Sequence, residues 1–381
     1  MHIVVHDSLA EINAAQWNAL LADNNPFMRH EFLSGLESTG CVSEDHGWEP
    51  THISAYTDEC QTQLIGALPC YIKQHSYGEY IFDWAWADAY YRNGLEYYPK
   101  LCNAVPFTPA TGPRWIVDPD QDANSVGLAL LNAALDVVAQ KELSSFHSLF
   151  LPQMDTHVAE TAGLSLRSSN QFHWHNQNYA SFDRFLAQLT SKKRKNINRE
   201  RRRVHEQDVT FQWFTQQDLT QEVVEQFYAF YLRTVRYYGA QAYLNLAFFK
   251  HLAATLSNQT LILLVHYQNT VIAGSFFMRS DTTLYGRYWG AQANFHSVHF
   301  ETCYYQPIQY CIEHGLQKFE AGAQGEHKLS RGLEPSLTHS AHWISQPEFR
   351  TAIEQFLQQE TEHIDQYQAS LRQHSPFRQE V

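Results

Sequence analysis

The chain has 381 residues, of which 44% are apolar, 18% charged and 14% aromatic, and its net charge is −13. The length suits two domains of moderate size, and the negative charge argues against a general nucleic-acid binder. No apolar run approaches the 18 or so residues that cross a bilayer, the N-terminus lacks a signal-peptide pattern, and the six cysteines form no CxxC pair. We therefore expect a cytoplasmic protein with reduced thiols and no membrane span.

In residues 1–151 the sequence pattern predicts alternating helices and strands. Ser8 and Glu11 form a capping box, which predicts a helix through Leu21. Further helices are predicted at about residues 30–36 and 126–140, and strands at residues 3–5, 48–56, 63–72 and 145–151.

The second part predicts a longer succession of elements. A helix at residues 301–314 is expected to kink or restart at Pro307. The other helices are predicted at residues 182–189, 191–203 and 223–237 and from residue 347 onward. Strands are predicted at residues 171–176, 209–211, 261–267, 272–278, 284–289 and 318–320.

Two pairs of segments look alike across the chain. Residues 64–72 resemble residues 271–278, and residues 80–89 resemble residues 284–293. Because this offset is far longer than a solenoid repeat, it predicts a duplicated domain. We place the first domain at residues 1–165 and the second at residues 166–381, opened by a basic helix and containing a C-terminal helix.

The basic helix is the most unusual segment in composition. Residues 191–203 hold eight basic residues and one acidic residue, a local charge of +7, so the rest of the chain carries −20. At helical spacing Lys192, Lys195, Arg199 and Arg202 share one face. The segment is either a solvated surface helix or a site for a phosphate-bearing ligand such as a nucleotide, a lipid pyrophosphate, CoA or a tRNA arm.

The loop of residues 320–332 combines glycines with charges. Glycines let the backbone approach a ligand closely, Lys328 and Arg331 can stabilise an oxyanion or hold a phosphate, and three residues can accept a proton: Glu320, Glu326 and His327. The alternative is a charged surface turn. Glu301 either favours the dipole of its helix or acts as a base in a cleft.

Several familiar sites are absent from the sequence. It contains no GxSxG elbow, no Walker loop and no GxGxxG motif. The pairs His173/His175 and His296/His299 could each bind zinc, but neither has a third ligand at the spacing of a known zinc motif. We therefore expect surface or core histidines and no metal.

Five segments together resemble the FemAB-like branch of the GNAT acyltransferase superfamily, a group of predicted N-acyltransferases of peptidoglycan biosynthesis or recognition. They are NPFM at residues 25–28, LTSKKRKNI at 189–197, GRYWG at 286–290, HFE at 299–301 and FEAGAQGEHK at 319–328.

The resemblance implies an α/β fold of two tandem GNAT-like domains, each a mixed, mostly antiparallel sheet flanked by helices. It also implies transfer of an acyl or aminoacyl group to an amine of a small-molecule or cell-wall-precursor substrate, with no permanently bound cofactor. Fem ligases use aminoacyl-tRNA as donor and other GNAT enzymes use acyl-CoA. The pyrophosphate-binding loop of the CoA-using enzymes and the coiled-coil arm of some Fem ligases are not evident, so the donor stays open.

The resemblance also suggests roles for residues. Lys328 is the nearest match to the lysine that follows the last strand of the second domain in Fem ligases, and Arg194 and Arg199 would hold substrate phosphate. We place the cleft between the halves and expect the catalytic residues to be Lys328, Glu301 and Glu320. The predicted substrate-binding residues are Arg194, Arg199, Lys192, Trp84, Trp86, Tyr90, Arg287, Trp289, His299, Gln324, His327 and Arg331. The rival hypothesis is a non-catalytic GNAT-fold protein that binds a phosphorylated precursor or RNA.

Overall fold

A computed structural model describes residues 1–292, 295–322 and 325–378. The chain divides into two compact units. The first consists of Met1–Asn170 and Leu337–Tyr367, and the second of Gln171–Ser336 and Gln368–Val381.

The elements up to residue 175 alternate as the sequence predicts. They are β1 (His2–His6), α1 (Ala14–Ala19), α2 (His30–Ser38), β2 (Trp48–Pro50), β3 (His52–Tyr56), β4 (Leu64–Leu68), β5 (Tyr71–Lys73), α3 (Trp84–Arg92), β6 (Lys100–Asn103), β7 (Ile116–Val117), α4 (Ala123–Gln140), β8 (Ser145–Leu151), α5 (Thr156–Thr161) and β9 (Ser165–His175).

The remaining elements run to residue 373. They are α6 (Phe182–Gln188), α7 (Ser191–His205), β10 (Val209–Thr215), α8 (Gln221–Tyr237), α9 (Leu246–Thr255), β11 (Thr260–Tyr267), β12 (Thr270–Arg279), β13 (Thr283–Ala291), α10 (Val298–Phe300), a π-helical turn (Glu301–Tyr305), α11 (Gln306–Glu313), β14 (Lys318–Glu320), a 3₁₀ turn (Glu326–Arg331), β15 (Glu334–Ile344) and α12 (Pro347–Gln373).

The first unit contains two groups of paired strands. One has the order β1-β3-β4-β7, and all of its pairs are antiparallel. In the other, β2, β5, β6 and β8 are successive neighbours, and β6 and β8 run parallel. Helix α4 packs Leu130, Leu131 and Val138 into the core of this unit, which also contains Ile53 and Phe146.

Helix α4 is also the one helix, among the described residues, that is long and apolar enough to cross a membrane by length and composition. We predicted no such segment. The mean hydropathy of α4 is 1.2. Its buried side chains pack in the core of the first unit. A core helix of a globular domain can have the same length and hydropathy as a membrane span.

The second unit has a regular sheet. β10, β11, β12 and β13 are antiparallel neighbours, β14 runs parallel to β13, and residues 173–175 of β9 pair with β14 in the antiparallel sense. Phe227 of α8 and Phe249 of α9 pack against Phe276 of β12.

The order of strands repeats between the units. In each, antiparallel strands lead to a helical segment and then to a strand parallel to an earlier one: α4 precedes β8, and α10 and α11 precede β14. One predicted correspondence is wrong, because residues 84–92 form helix α3 whereas residues 283–291 form strand β13. The counterpart of β13 in the first unit is β6.

Two further differences from prediction have local causes. Ser8 caps only a short 3₁₀ turn, and α1 begins at Ala14 because the Asn13 side chain accepts hydrogen bonds from the backbone of Ala15 and Gln16. We assigned residues 337–367 to the second domain, but the structure groups them with the first unit, where residues 339–344 pair with β8.

Candidate functional site

The candidate site lies in the second unit, where two parallel strands separate. Within the described residues, β13 and β14 pair from Thr283 opposite Lys318 to Tyr285 opposite Glu320. Beyond these residues a cavity of about 150 Å³ is lined by Gly286 of β13, Gly322, and side chains from β12, β13 and the helix that follows. A gap between diverging strands leaves backbone groups available to a ligand, because no strand among the described residues pairs with this edge of β13 beyond Tyr285.

A β-bulge shapes the strand at this gap. Phe276 of β12 pairs with Tyr288, but Phe277 pairs with Gly286, so Arg287 is an extra residue in β13. Bulges bend a strand and increase its twist. The bulge therefore coincides with the point at which β13 leaves β14, and Arg287 lines the cavity.

The helix after β13 supplies another wall. As predicted, the helix restarts near Pro307: a π-helical turn at Glu301–Tyr305 precedes α11. Proline has no N–H to donate to the carbonyl four residues earlier, so a regular helix cannot continue through this point. Cys303 and Tyr304 of the π-helical turn line the cavity. Turns of this kind are frequent at functional sites.

Titratable groups around the cavity are mostly neutral at pH 7. Burial raises the pKa of the Cys303 thiol to about 12, which excludes a thiolate nucleophile at neutral pH. Burial lowers the pKa of His299 to about 4, so its ring is neutral beside Trp289, with 5.4 Å between the ring centroids. Burial also lowers the pKa of His327, which bonds the Tyr304 hydroxyl at 2.8 Å.

Lys328 is a buried cation that contacts the cavity wall through Gly322. It lies on the 3₁₀ turn, only 2% exposed, and its Nζ donates a hydrogen bond of 2.7 Å to the carbonyl of Gly322. Burial lowers the pKa of Lys328 to about 8. The ammonium group is therefore charged at neutral pH, has three donors, and is poised to lose its proton within the physiological range.

Side chains of α7 hold the 3₁₀ turn in place. Lys193 donates to Ser330 at 2.9 Å, and Arg331 donates to both carboxylate oxygens of Glu200 at 3.2 Å. The Arg331 guanidinium also lies 3.5 Å from the ring centre of Phe300. Arg331 is thus a buried positioning residue in this structure.

The two predicted catalytic carboxylates are both buried in ion pairs. Glu301 receives hydrogen bonds from Arg201, at 2.9 to 3.2 Å, and from Gln306 at 2.9 Å. Glu320 lies 2.7 Å from Lys318. Each carboxylate is therefore held by a neighbouring cation. Arg201 contacts both carboxylate oxygens of Glu301.

The basic helix α7 has two different faces. Lys192, Lys195, Arg199 and Arg202 are exposed, as the helical spacing predicts. Lys193 and Arg201 point to partners inside the second unit, and Arg194 is half-buried. The inner cations of the helix therefore stabilise the fold and its outer cations are accessible to solvent; binding of a phosphate-bearing ligand by the outer face stays a prediction.

The remaining predicted residues lie elsewhere. Trp86 and Tyr90 are buried in an aromatic cluster of the first unit that includes Tyr97 and Phe349, which is a packing role. Trp84 of α3 is 41% exposed. Gln324 lies outside the described residues.

The equivalent gap in the first unit is filled by its own chain. β6 and β8 pair up to Asn103 opposite Ser148. Just beyond, the buried Arg114 guanidinium donates to the carbonyls of Leu149, Ala110 and Gly112. The gap between parallel strands is therefore filled by Arg114 in the first unit, whereas in the second unit it forms a cavity.

Comparison with known proteins agrees with this architecture. A family profile described as FemAB-like, peptidoglycan biosynthesis/recognition, matches residues 8–379. The chain belongs to the FemAB-like family. No curated protein sequence matches it.

Solved structures share the fold of this FemAB-like protein at low sequence identity. FemX is 10% identical with a TM-score of 0.54, covering 93% of this chain and 100% of its own. The C-terminal domain of an Agrobacterium fabrum protein assigned as a lysylphosphatidylglycerol synthetase is 9% identical with a TM-score of 0.56, covering 92% and 97%. L-PGS from Bacillus licheniformis is 10% identical with a TM-score of 0.50, covering 88% and 98%. The predicted fold class, two tandem GNAT-like units of mixed sheet flanked by helices, is confirmed.

The sequence had not singled out Cys303, Tyr304 or Ser275 as residues of this site. Only the placement of Pro307 pointed to the irregular turn that carries the first two. Of the predicted residues, the cavity brings together Arg287, Trp289 and His299, and Lys328 reaches its wall through Gly322.

Proposed function

We propose that this protein is an N-acyltransferase that moves an acyl or aminoacyl group from a thioester or ester donor to an amine of a small-molecule or cell-wall-precursor substrate. Family membership supports the class of reaction. The observation that carries the proposal is the cavity between β13 and β14 with the buried Lys328 at its wall. This is where a donor carbonyl can meet both a backbone amide and a cation.

In this reaction the protein has to position the amine and the donor carbonyl and to stabilise the negative charge on the carbonyl oxygen. A neutral amine attacks the donor carbonyl carbon, a C–N bond forms, and the carbonyl oxygen becomes an oxyanion. Collapse breaks the C–S or C–O bond, the amine nitrogen loses a proton, and the leaving thiolate or alkoxide gains one. The Lys328 ammonium stabilises the oxyanion, and His299 and Cys303, both neutral at pH 7, add no charge to the cavity.

The donor is either acyl-CoA or aminoacyl-tRNA, and it binds as a cosubstrate. A thermal shift with CoA, acyl-CoA thioesters and aminoacyl-tRNA distinguishes the two, because a ligand at about 100 times its Kd adds about 2.7 kcal/mol of stability. Mass spectrometry of the amine product then tests the reaction. Ligand binding without product from any donor would favour the non-catalytic alternative.

The pH dependence of turnover tests the role of Lys328. Because the oxyanion is stabilised by the protonated form, kcat is expected to fall as the pH rises through about 8, the pKa of this lysine. In Lys328→Met the residual activity should lack this falling limb. The same falling limb in both proteins would assign it to another group.

The exposed cations of α7 are proposed to hold a phosphorylated ligand. Arg199→Ala is expected to raise KM by roughly threefold to tenfold with a smaller change in kcat, since it removes a ground-state contact. Arg184→Ala, an exposed arginine on α6, is the matched control. An unchanged KM for the phosphorylated substrate in Arg199→Ala would argue against this contact.

A further inference from the structure

The proposed reaction releases a proton inside a cavity whose walls, among the described residues, carry no carboxylate. When an amine attacks a carbonyl carbon, its nitrogen becomes positively charged and has to lose a proton before the amide is formed. Glu301 and Glu320, which the sequence predicted as catalytic, are each held by a cation. An uncharged side chain of the wall that contacts a base would give this proton a way out.

Tyr304 is such a side chain. It lines the cavity from the π-helical turn and is only 4% exposed. Its hydroxyl lies 2.8 Å from Nε2 of His327 on the 3₁₀ turn, and His327 is itself exposed to solvent. The two side chains therefore form a continuous hydrogen-bonded connection from the cavity wall to the outside of the protein.

The backbone before the 3₁₀ turn is shaped around the His327 ring. Gly325 has a φ of +115°, a conformation that side chains other than glycine rarely adopt. A Cβ at this position would lie 2.5 Å from Cε1 of His327. Glycine therefore permits the imidazole to lie against the backbone of the turn, where its Nε2 meets the Tyr304 hydroxyl.

The groups around the His327 ring keep it neutral at pH 7. Burial, and then the positive charges of Arg331 and Lys328, lowers the pKa of His327 below its ordinary value. His299 of α10 faces the same ring and is neutral as well. Burial raises the pKa of the Tyr304 hydroxyl above its ordinary value, so the phenol stays protonated. A neutral imidazole can accept a proton, and a phenol that does not ionise can pass one on while it receives another.

We propose that Tyr304 and His327 form a proton relay that carries the proton of the attacking amine out of the cavity. After the C–N bond forms, an N–H bond of the positively charged nitrogen breaks and its proton passes to the Tyr304 oxygen. The original hydroxyl proton passes to Nε2 of His327, so that Tyr304 ends as a phenol and His327 as an imidazolium. The imidazolium then releases its Nδ1 proton to water. The relay rests on the proposed function and assigns the path of the proton that this reaction loses.

Turnover of single and double variants tests whether the two residues act as one path. Tyr304→Phe removes the hydroxyl and keeps the ring, whereas His327→Gln keeps an acceptor for the hydroxyl but cannot take up its proton. Each variant is expected to lower kcat by roughly 10²-fold, the low end for acid–base catalysis. The double variant should be no slower than the slower single variant, because both residues belong to the same path. His363→Gln, which replaces an exposed histidine of α12, is the matched control.

The pH dependence of kcat separates a relay from a structural role. Because the neutral imidazole accepts the proton, kcat should fall as the pH drops through the pKa of His327, which lies below its ordinary value. This acidic limb should be absent in His327→Gln and retained in His363→Gln. Imidazole added to the buffer should restore part of the activity of His327→Ala, because the position is open to solvent. It should not restore Tyr304→Phe/His327→Ala, which lacks the connecting hydroxyl.

The relay is overturned by wild-type kcat in Tyr304→Phe or by an unchanged acidic limb in His327→Gln. ¹⁵N NMR of the wild-type protein gives a test that needs no turnover: a proton on Nε2 of the neutral His327 ring would overturn the relay, because that nitrogen could not accept another. Absence of product from every donor would contradict the proposed function and the relay together. Product formation with unchanged turnover in Tyr304→Phe would contradict the relay alone.

Discussion

Lys328→Ala is expected to lower kcat by roughly 10²–10³, the effect of removing one donor to an oxyanion. The reason is the position of the ammonium group: it is buried at the wall of the cavity, bonded to Gly322, and charged at neutral pH. Initial rates of product formation under saturating donor and acceptor give the measurement.

Lys328→Met provides the matched control for packing. Methionine has a similar unbranched stem and fills a buried space well, but it has no donor. Both variants should therefore lose activity alike if the ammonium group acts on the oxyanion. Recovery of activity in Lys328→Met would show that the stem acts by packing, and wild-type turnover in Lys328→Ala would remove the residue from the mechanism.

Glu301→Gln is expected to destabilise the protein by about 3 kcal/mol while leaving kcat of the folded protein nearly unchanged. Removing one partner of a buried ion pair leaves the other charge uncompensated, which typically costs 3–5 kcal/mol. Glu301 is completely buried, whereas the Arg201 side chain is 18% exposed, so the lower end of that range applies. Thermal unfolding should shift down by roughly 6–12 °C, and kcat is measured below the onset of unfolding.

The double variant Arg201→Met/Glu301→Leu removes both charges of the pair, so that no buried charge is left without a partner. Replacing both members of a buried ion pair by apolar residues is often neutral or stabilising, so much of the lost stability should return. Loss of kcat in Glu301→Gln without a change in unfolding temperature would reverse the assignment and make Glu301 a catalytic base.

Local patterns predicted much of the fold. The strand at residues 318–320 and the strand at residues 145–151 have the expected bounds, and the helix of the site restarts beside Pro307. These features depend on neighbouring residues: apolar runs between turn residues, and a proline that lacks an N–H. The helical spacing of the basic segment also predicted which cations lie on its exposed face.

The composition of the site was less predictable. Trp86 and Tyr90 were expected to line a cleft, but they lie on a helix that buries them in the first unit. Cys303 enters the site only through an irregular turn. Arg114, which plugs the gap of the first unit, lies in a segment with no periodic pattern, and its bond to the carbonyl of Leu149 is a tertiary contact that no local pattern predicts.

The sequence by itself determined the family and most of the helices and strands, because each depends on local periodicity or on motifs that can be compared with known sequences. Only the tertiary structure showed which charges are held in ion pairs and which lie beside the cavity. Glu301 and Arg201 are 100 residues apart in the chain, and so no local pattern reports their ion pair. The pKa of Lys328 likewise depends on burial by distant segments, which desolvates the ammonium group.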